Sequence, residues 1–203
     1  MAIKFFVEGI ADDKFLRDYI SQKYNATLAK EDIIKSEGWT NIRSENGEFI
    51  INAMQKNSDN NGTNLLIFDA DTSFSERLTE INEWKTQHNL EFEIFLWPNN
   101  QESGDLETVL ENIINPNNRP VFDCWDRYES CLQSTTIQGR STPLTTPAKK
   151  TKIYGYLEAL LGESKAQKKK IKEPNRDYRL SEHWDLNSEY LDALDGFLRP
   201  YYQ

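Results

Sequence analysis

A parallel α/β sheet with helices on both faces is the fold class this sequence predicts, and three observations carry it. Leu65-Leu66-Ile67-Phe68 is an unbroken apolar run that ends in Asp69-Ala70-Asp71, as expected of a strand buried on both faces. Shorter apolar runs, Ile3 to Val7 and Phe92 to Trp97, alternate with segments of helical periodicity, the pattern of a doubly wound sheet. Carboxylates follow two of these runs, at Glu8 and at Asp69 and Asp71, where such sheets place their chemistry.

Taken in order, Ile3 to Val7 reads as a strand closed by Glu8-Gly9, with Gly9 allowing a sharp turn. Asp12 reads as the cap of a helix in which Phe15, Leu16, Tyr19 and Ile20 recur to about Tyr24. Asp32 to Ser36 is a second strand, followed by Gly38-Trp39. Phe49, Ile50, Ala53 and Met54 mark a helix, ended by the polar run Asn57 to Gly62. After the central strand, Phe74, Leu78, Ile81 and Trp84 give a helix from about Ser73 to His88, and Phe92 to Trp97 is a strand stopped by Pro98. Beyond Trp97 the pattern is helical: Asp105 to Ile114, Val121 to Leu132, Lys149 to Leu161 with Gly162 at its end, and a terminal helix from Leu186 to Leu198 with Pro200 past it. Ser134 to Pro147 reads as a loop, and Lys165 to Arg179 as a polar basic stretch. Residues 1–115 are thus the expected α/β core, and 116–203 a mostly helical extension packed on it.

Composition narrows the function classes. The chain has 203 residues with a net charge of -9, whereas a simple electrostatic nucleic-acid binder is basic overall. Any nucleic-acid contact must therefore rest on a local basic patch or a metal. No run of about 20 apolar residues is present to span a membrane, and Glu8, Asp12 and Asp13 interrupt the start too early for a signal peptide. Cys124 and Cys131 on one helix stand about 10.5 Å apart in rise, too far for a disulfide. Two cysteines and two histidines, scattered, form no zinc signature. A cytoplasmic protein with reduced thiols is expected. No P-loop or dinucleotide glycine motif supports ATP or NAD binding.

In an extended chain Asp69 and Asp71 point to the same side and reach one place. Two such anions repel unless a cation neutralises them, and Mg²⁺ takes oxygen ligands while keeping waters for a substrate. The alternative is structural: Asp71 caps the helix starting near Thr72 and Asp69 closes a turn.

Glu8-Gly9 after an apolar strand, Asp12 opening a helix, and Asp69-Ala70-Asp71 ending a later strand resemble the Toprim domain of primases, topoisomerases, RNase M5-like maturases and OLD nucleases. Gly104-Asp105-Leu106-Glu107, Trp184-Asp185-Leu186 and Phe197-Leu198 resemble small stand-alone Toprim-like proteins of uncharacterised function. The resemblance implies a Toprim, Rossmann-like fold over roughly residues 1–115. It further implies Mg²⁺ or Mn²⁺ held by Asp69 and Asp71, and Glu8 as the acid–base residue. Topoisomerase-type Toprim domains carry a further acid two residues past the second Asp, where this chain has Ser73. Either that ligand is missing here, or Glu107 or Asp105 replaces it. Glu107 otherwise reads as a solvated helix charge, and Asp12 and Asp105 as supports that orient Glu8 or a metal-bound water. Topoisomerase and primase activities need domains this chain lacks, so phosphodiester hydrolysis is the expected activity. A separate ATPase is a possible protein partner, because OLD-type domains are attached to one.

Lys149, Lys150 and Lys152 precede one helix, and Lys165, Lys168, Lys169, Lys170, Lys172, Arg176 and Arg179 follow it. This asymmetry is the expected nucleic-acid footprint, with Tyr154, Tyr156 and Tyr178 available to stack on bases. A solvated surface segment is the other reading. Two further function classes compete with a nuclease. One is a non-catalytic Toprim-fold module that binds nucleic acid, a nucleotide or a protein. The other is a haloacid-dehalogenase-type phosphatase, suggested by Asp69-Ala70-Asp71-Thr72-Ser73, which leaves Glu8 without a role.

Overall fold

The computed structural model describes residues 2–44, 47–162 and 164–202. Four strands form one all-parallel sheet: β1 (Ile3–Val7), β2 (Ile33–Lys35), β3 (Thr63–Asp69) and β4 (Glu93–Trp97), in the spatial order β2-β1-β3-β4. In register, Val7 stands beside Ile67 and Asp69 beside Trp97, so the carboxyl ends of the three longer strands form one edge. The apolar runs encode this directly. Leu65 to Phe68 have no solvent exposure, because both faces of β3 are covered.

Alternation along each strand assigns the two faces. Phe6, Leu66, Phe68 and Leu96 pack on helices α2 (Trp39–Ile42), α3 (Glu48–Asp59) and α4 (Phe74–Gln87), through Trp39, Ile50, Met54, Ile81 and Trp84. Phe5, Val7, Leu65, Ile67, Phe95 and Trp97 face the other way, onto α1 (Ile10–Tyr24) and the C-terminal region.

That region contributes α5 (Leu106–Asn112), α6 (Arg119–Ser134), α7 (Lys149–Leu161), α8 (Lys165–Ile171) and α9 (Asp192–Tyr202). It shares one continuous apolar cluster with β1 and α1, to which Phe122, Tyr156, Tyr178, Trp184, Leu194 and Leu198 belong. Polar clasps hold α1 to it. The buried Asp18 carboxylate accepts the Tyr178 N–H at 2.8 Å, and the Tyr24 hydroxyl donates to Asp195 Oδ1 at 2.7 Å.

The structure departs from the sequence expectation at several points. Asp12 does not cap α1. Gly9 holds that position, and Asp12, three residues on, reaches back to accept the Gly9 N–H at 3.0 Å. The terminal helix begins at Asp192 rather than Leu186, after a 3-10 turn at Glu189–Leu191. It runs through Pro200, which lies in its last turn and withholds one amide donor there. The stretch from Lys165 to Arg179 is only partly a polar surface, since Ile171, Arg176 and Tyr178 are buried in it.

Candidate functional site

The edge where β1, β3 and β4 end gathers the acidic residues. Glu8 leaves β1 beside the end of β3, and its Oε1 accepts the Asp69 backbone N–H at 3.1 Å. The backbone amide of Trp39 also favours the charged form of this carboxylate. Burial nevertheless outweighs these donors and raises the Glu8 pKa, with the Asp71 charge adding to it. The turn facing Glu8 requires a glycine: Gly38 has φ +102, and a Cβ there would lie 3.9 Å from Glu8 Oε2.

Asp12 lies beneath this edge, almost without exposure, and accepts the indole N–H of Trp97 at 2.9 Å. Burial raises its pKa, and the charge of Glu8 adds to the effect. Asp69 is the most perturbed. Its Oδ1 accepts the Leu106 N–H, at the start of α5, at 3.1 Å. Burial pushes its carboxyl up to about 9, followed by the charges of Asp12, Glu8, Glu107 and Asp105. Five carboxylates therefore act on one low-dielectric place, which favours the protonated form of Asp69.

Asp71 is not where an extended chain would put it. The strand stops at Asp69, and Asp71 takes a left-handed backbone (φ 53), with its N–H on the Gly104 carbonyl at 2.8 Å. Its half-exposed carboxylate pairs with the Arg77 guanidinium of α4. The expectation that Asp69 and Asp71 project together from one strand is thus corrected by a change of backbone region. Asp71 does not cap the following helix either; Ser73 does, its Oγ accepting the Glu76 N–H at 3.4 Å. Ser73 stands where a further acid was sought, and capping accounts for it.

Asp105 caps α5, accepting the Thr108 N–H at 2.8 Å, and its carboxylate receives Lys149 Nζ at 3.1 Å. Glu107, in the first turn of α5, is raised by burial and then by Asp105, while Lys150 opposes the shift. Lys150 pairs with Glu173 at 2.6 Å. The amino end of α7 thereby brings two lysines to the acidic edge. Among the described residues no group of three or more His, Cys, Asp or Glu side chains is arranged to hold a metal ion.

Over residues 3–203 the sequence matches the family described as "Protein of unknown function (DUF3226)". The chain belongs to that family. No curated protein and no solved structure matches it. The match spans the sheet and the C-terminal helices alike, so in this DUF3226 chain the edge and the region that covers it fall within one family unit.

The lysines expected to bind nucleic acid fall into three places. Lys149 and Lys150 lie at the acidic edge. Lys168, Lys169 and Lys170 are exposed on α8, where Lys168 pairs with Glu158 at 3.2 Å. Lys152 is misplaced by the sequence reading: it is buried, bonded to Asp126 at 2.9 Å and Glu111 at 3.3 Å, and lies 5.0 Å from the centre of the Phe122 ring. Arg176, Tyr156 and Tyr178 are likewise interior. The Arg176 guanidinium donates to the Ile171 carbonyl and stacks on Tyr154 and Tyr178, leaving it no nucleic-acid face.

Sequence reasoning missed Arg77, Trp39 and Glu173 in this DUF3226 site. One signal for Arg77 was present. A cation near the start of a helix opposes the helix dipole, which marks it as held there by other partners.

Proposed function

We propose that this chain carries out divalent-cation-dependent phosphodiester chemistry on nucleic acid, most simply hydrolysis, at a Toprim-like site. The observation that carries the reading is Asp69: a desolvated carboxyl at a sheet edge, raised to about 9 by burial and four neighbouring carboxylates. A charge excess of this kind in low dielectric is relieved by a bound cation. The groups that gather there are oxygen donors, which suit a hard ion such as Mg²⁺ or Mn²⁺.

Asp69 and Asp71, with Glu107, would hold the cation, Asp71 after leaving Arg77. When bound, the ion supplies a Lewis acid for a phosphoryl oxygen and lowers the pKa of its water. Glu8, whose burial raises its proton affinity, takes the proton of the attacking water or gives one to the leaving oxygen. Asp12 and the Trp97 indole fix the turn that carries Glu8. Asp105 holds the start of α5 and, with Glu107, draws Lys149 and Lys150 toward the edge. Lys168, Lys169 and Lys170 on α8 offer a basic track for the phosphate backbone. A cytoplasmic setting and an ATPase as protein partner belong to the same reading. No helix among the described residues is long and apolar enough to cross a membrane.

A second reading is a non-catalytic module that binds nucleic acid, a nucleotide or a protein. It is favoured by the Asp71–Arg77 pair and by the lack, among the described residues, of three converging ligands. Calorimetric titration with Mn²⁺ or Mg²⁺ separates the two. The enzyme reading expects saturable binding that Asp69→Ala abolishes. It also expects cleavage of single- or double-stranded DNA or RNA that Glu8→Gln slows about 10²–10⁴-fold. Failure of millimolar cation to bind, with or without nucleic acid, leaves the module.

A further inference from the structure

Arg77 is a fixed cation facing an exchangeable anion. Its side chain is only 13% exposed; its guanidinium lies 5.6 Å from the centre of the Trp39 ring, and NH1 donates to Glu80 at 3.4 Å. Glu80 in turn accepts the Trp39 indole N–H at 2.8 Å, so ring, guanidinium and carboxylate brace one another. A second arginine, Arg43, lies 5.3 Å from the same ring and within 3.8 Å of Glu80. The Nε–NH2 edge of the Arg77 fork is different. NH2 meets Asp71, whose side chain is 52% exposed, and Nε is buried with no hydrogen-bond partner among the described residues. The Asp71 backbone is pinned by its hydrogen bond to Gly104, so only the side chain has to move to release the guanidinium.

The Asp71 end of this ion pair is open to water, so another anion can compete for the guanidinium from that side. A phosphodiester presents two non-bridging oxygens much as a carboxylate does, and the arginine fork matches either in two-point fashion. Two oxygens would engage NH2 and the unpartnered Nε together, whereas Asp71 engages NH2 alone. We propose that Arg77 is the residue that binds the substrate's phosphodiester group, and that Asp71 occupies the phosphate's place in the free protein. The proposal rests on the nucleic-acid reading above and deepens it. It names the residue that recognises the phosphate, and it assigns Asp71 to Arg77 until substrate arrives.

The test needs no metal, which keeps its outcome apart from that of the cleavage reading. A fluorescein-labelled single-stranded oligonucleotide is titrated by anisotropy in EDTA with wild type, Asp71→Asn, Arg77→Gln and the double variant. Asp71→Asn is expected to bind about five- to tenfold more tightly than wild type, because it frees the fork. Asp71→Asn/Arg77→Gln is expected to bind no more tightly than Arg77→Gln alone. Arg77→Lys, which keeps the charge without the planar fork, should lose most of the gain when combined with Asp71→Asn. A gain from Asp71→Asn of equal size in the wild-type and in the Arg77→Gln background would reflect removal of one negative charge and would overturn the assignment. So would no gain in Asp71→Asn, even if the wild type cleaves nucleic acid with Mg²⁺. An oligonucleotide bound by no variant overturns this assignment and the nucleic-acid reading together.

Discussion

Asp69 is held by its neighbours in a state an isolated aspartate would not adopt near neutral pH. An ordinary carboxyl releases its proton near pH 4, but burial and nearby charge keep this one protonated to about 9. Between those values the folded chain binds a proton that the unfolded chain has lost. Stability must therefore fall as pH rises through that window, with a slope of up to about 1.4 kcal/mol per pH unit. Thermal melts of cation-free protein between pH 5 and 8.5 are expected to show this decline. Asp69→Asn keeps an acceptor for the Leu106 N–H without the titration, and should make the decline shallower, the raised Glu8, Asp12 and Glu107 carboxyls accounting for what remains. Equal slopes in wild type and variant would mean that another group titrates. At this scale the sequence was half legible. Glu8 and Asp69 were found because an apolar strand followed by an acid is a local pattern. The position of Asp71 was not found, because nothing in Asp-Ala-Asp announces that the chain leaves the extended region after Asp69. Trp39 was missed because its link to Glu8 is made across space, between elements far apart in sequence, and Arg77, only six residues from Asp71, because the pair depends on the left-handed backbone of Asp71.

The strands and most helices were readable from periodicity, since apolar spacing reports directly on which face is covered. The basic segment was not, because lysine and arginine stems can lie along apolar surface while their heads find carboxylates, and spacing does not distinguish that from a solvated face. α7 and α8 separate the cases experimentally. Lys152→Ala removes the partner of Asp126 and Glu111 from a buried position, and is expected to cost about 2–4 kcal/mol in a denaturant melt. The salt dependence of nucleic-acid binding should barely change in that variant. The triple change of Lys168, Lys169 and Lys170 to Ala is expected to do the opposite. The melt should stay within about 0.5 kcal/mol of wild type, while the slope of log affinity against log salt falls by about 0.7–0.9 for each phosphate that is no longer neutralised. If the triple variant binds as wild type does at all salt concentrations, α8 is a solvated helix only.

For the molecule as a whole, the sheet has one face that its own α/β half covers and one that it does not. Phe5, Val7, Phe95 and Trp97 share their apolar cluster with Tyr178, Trp184, Leu194 and Leu198 as well as with α1. Division near residue 115 therefore cuts through a core. A fragment ending there is expected to aggregate or to give poorly dispersed amide resonances, and a soluble, well-dispersed fragment would show that α1 alone suffices as cover. The same arrangement sets an order in time. β1, which leaves the ribosome first, lies inside the sheet, and the Tyr24 hydroxyl waits for Asp195, 171 residues downstream. Lys149 and Lys150 reach the acidic edge only after the sheet has been synthesised. From the completion of β4 and α5 until these later partners emerge, a nascent chain thus carries a half-covered apolar sheet face and an uncompensated cluster of carboxylates, a period in which chaperones that hold apolar surface have the most to bind.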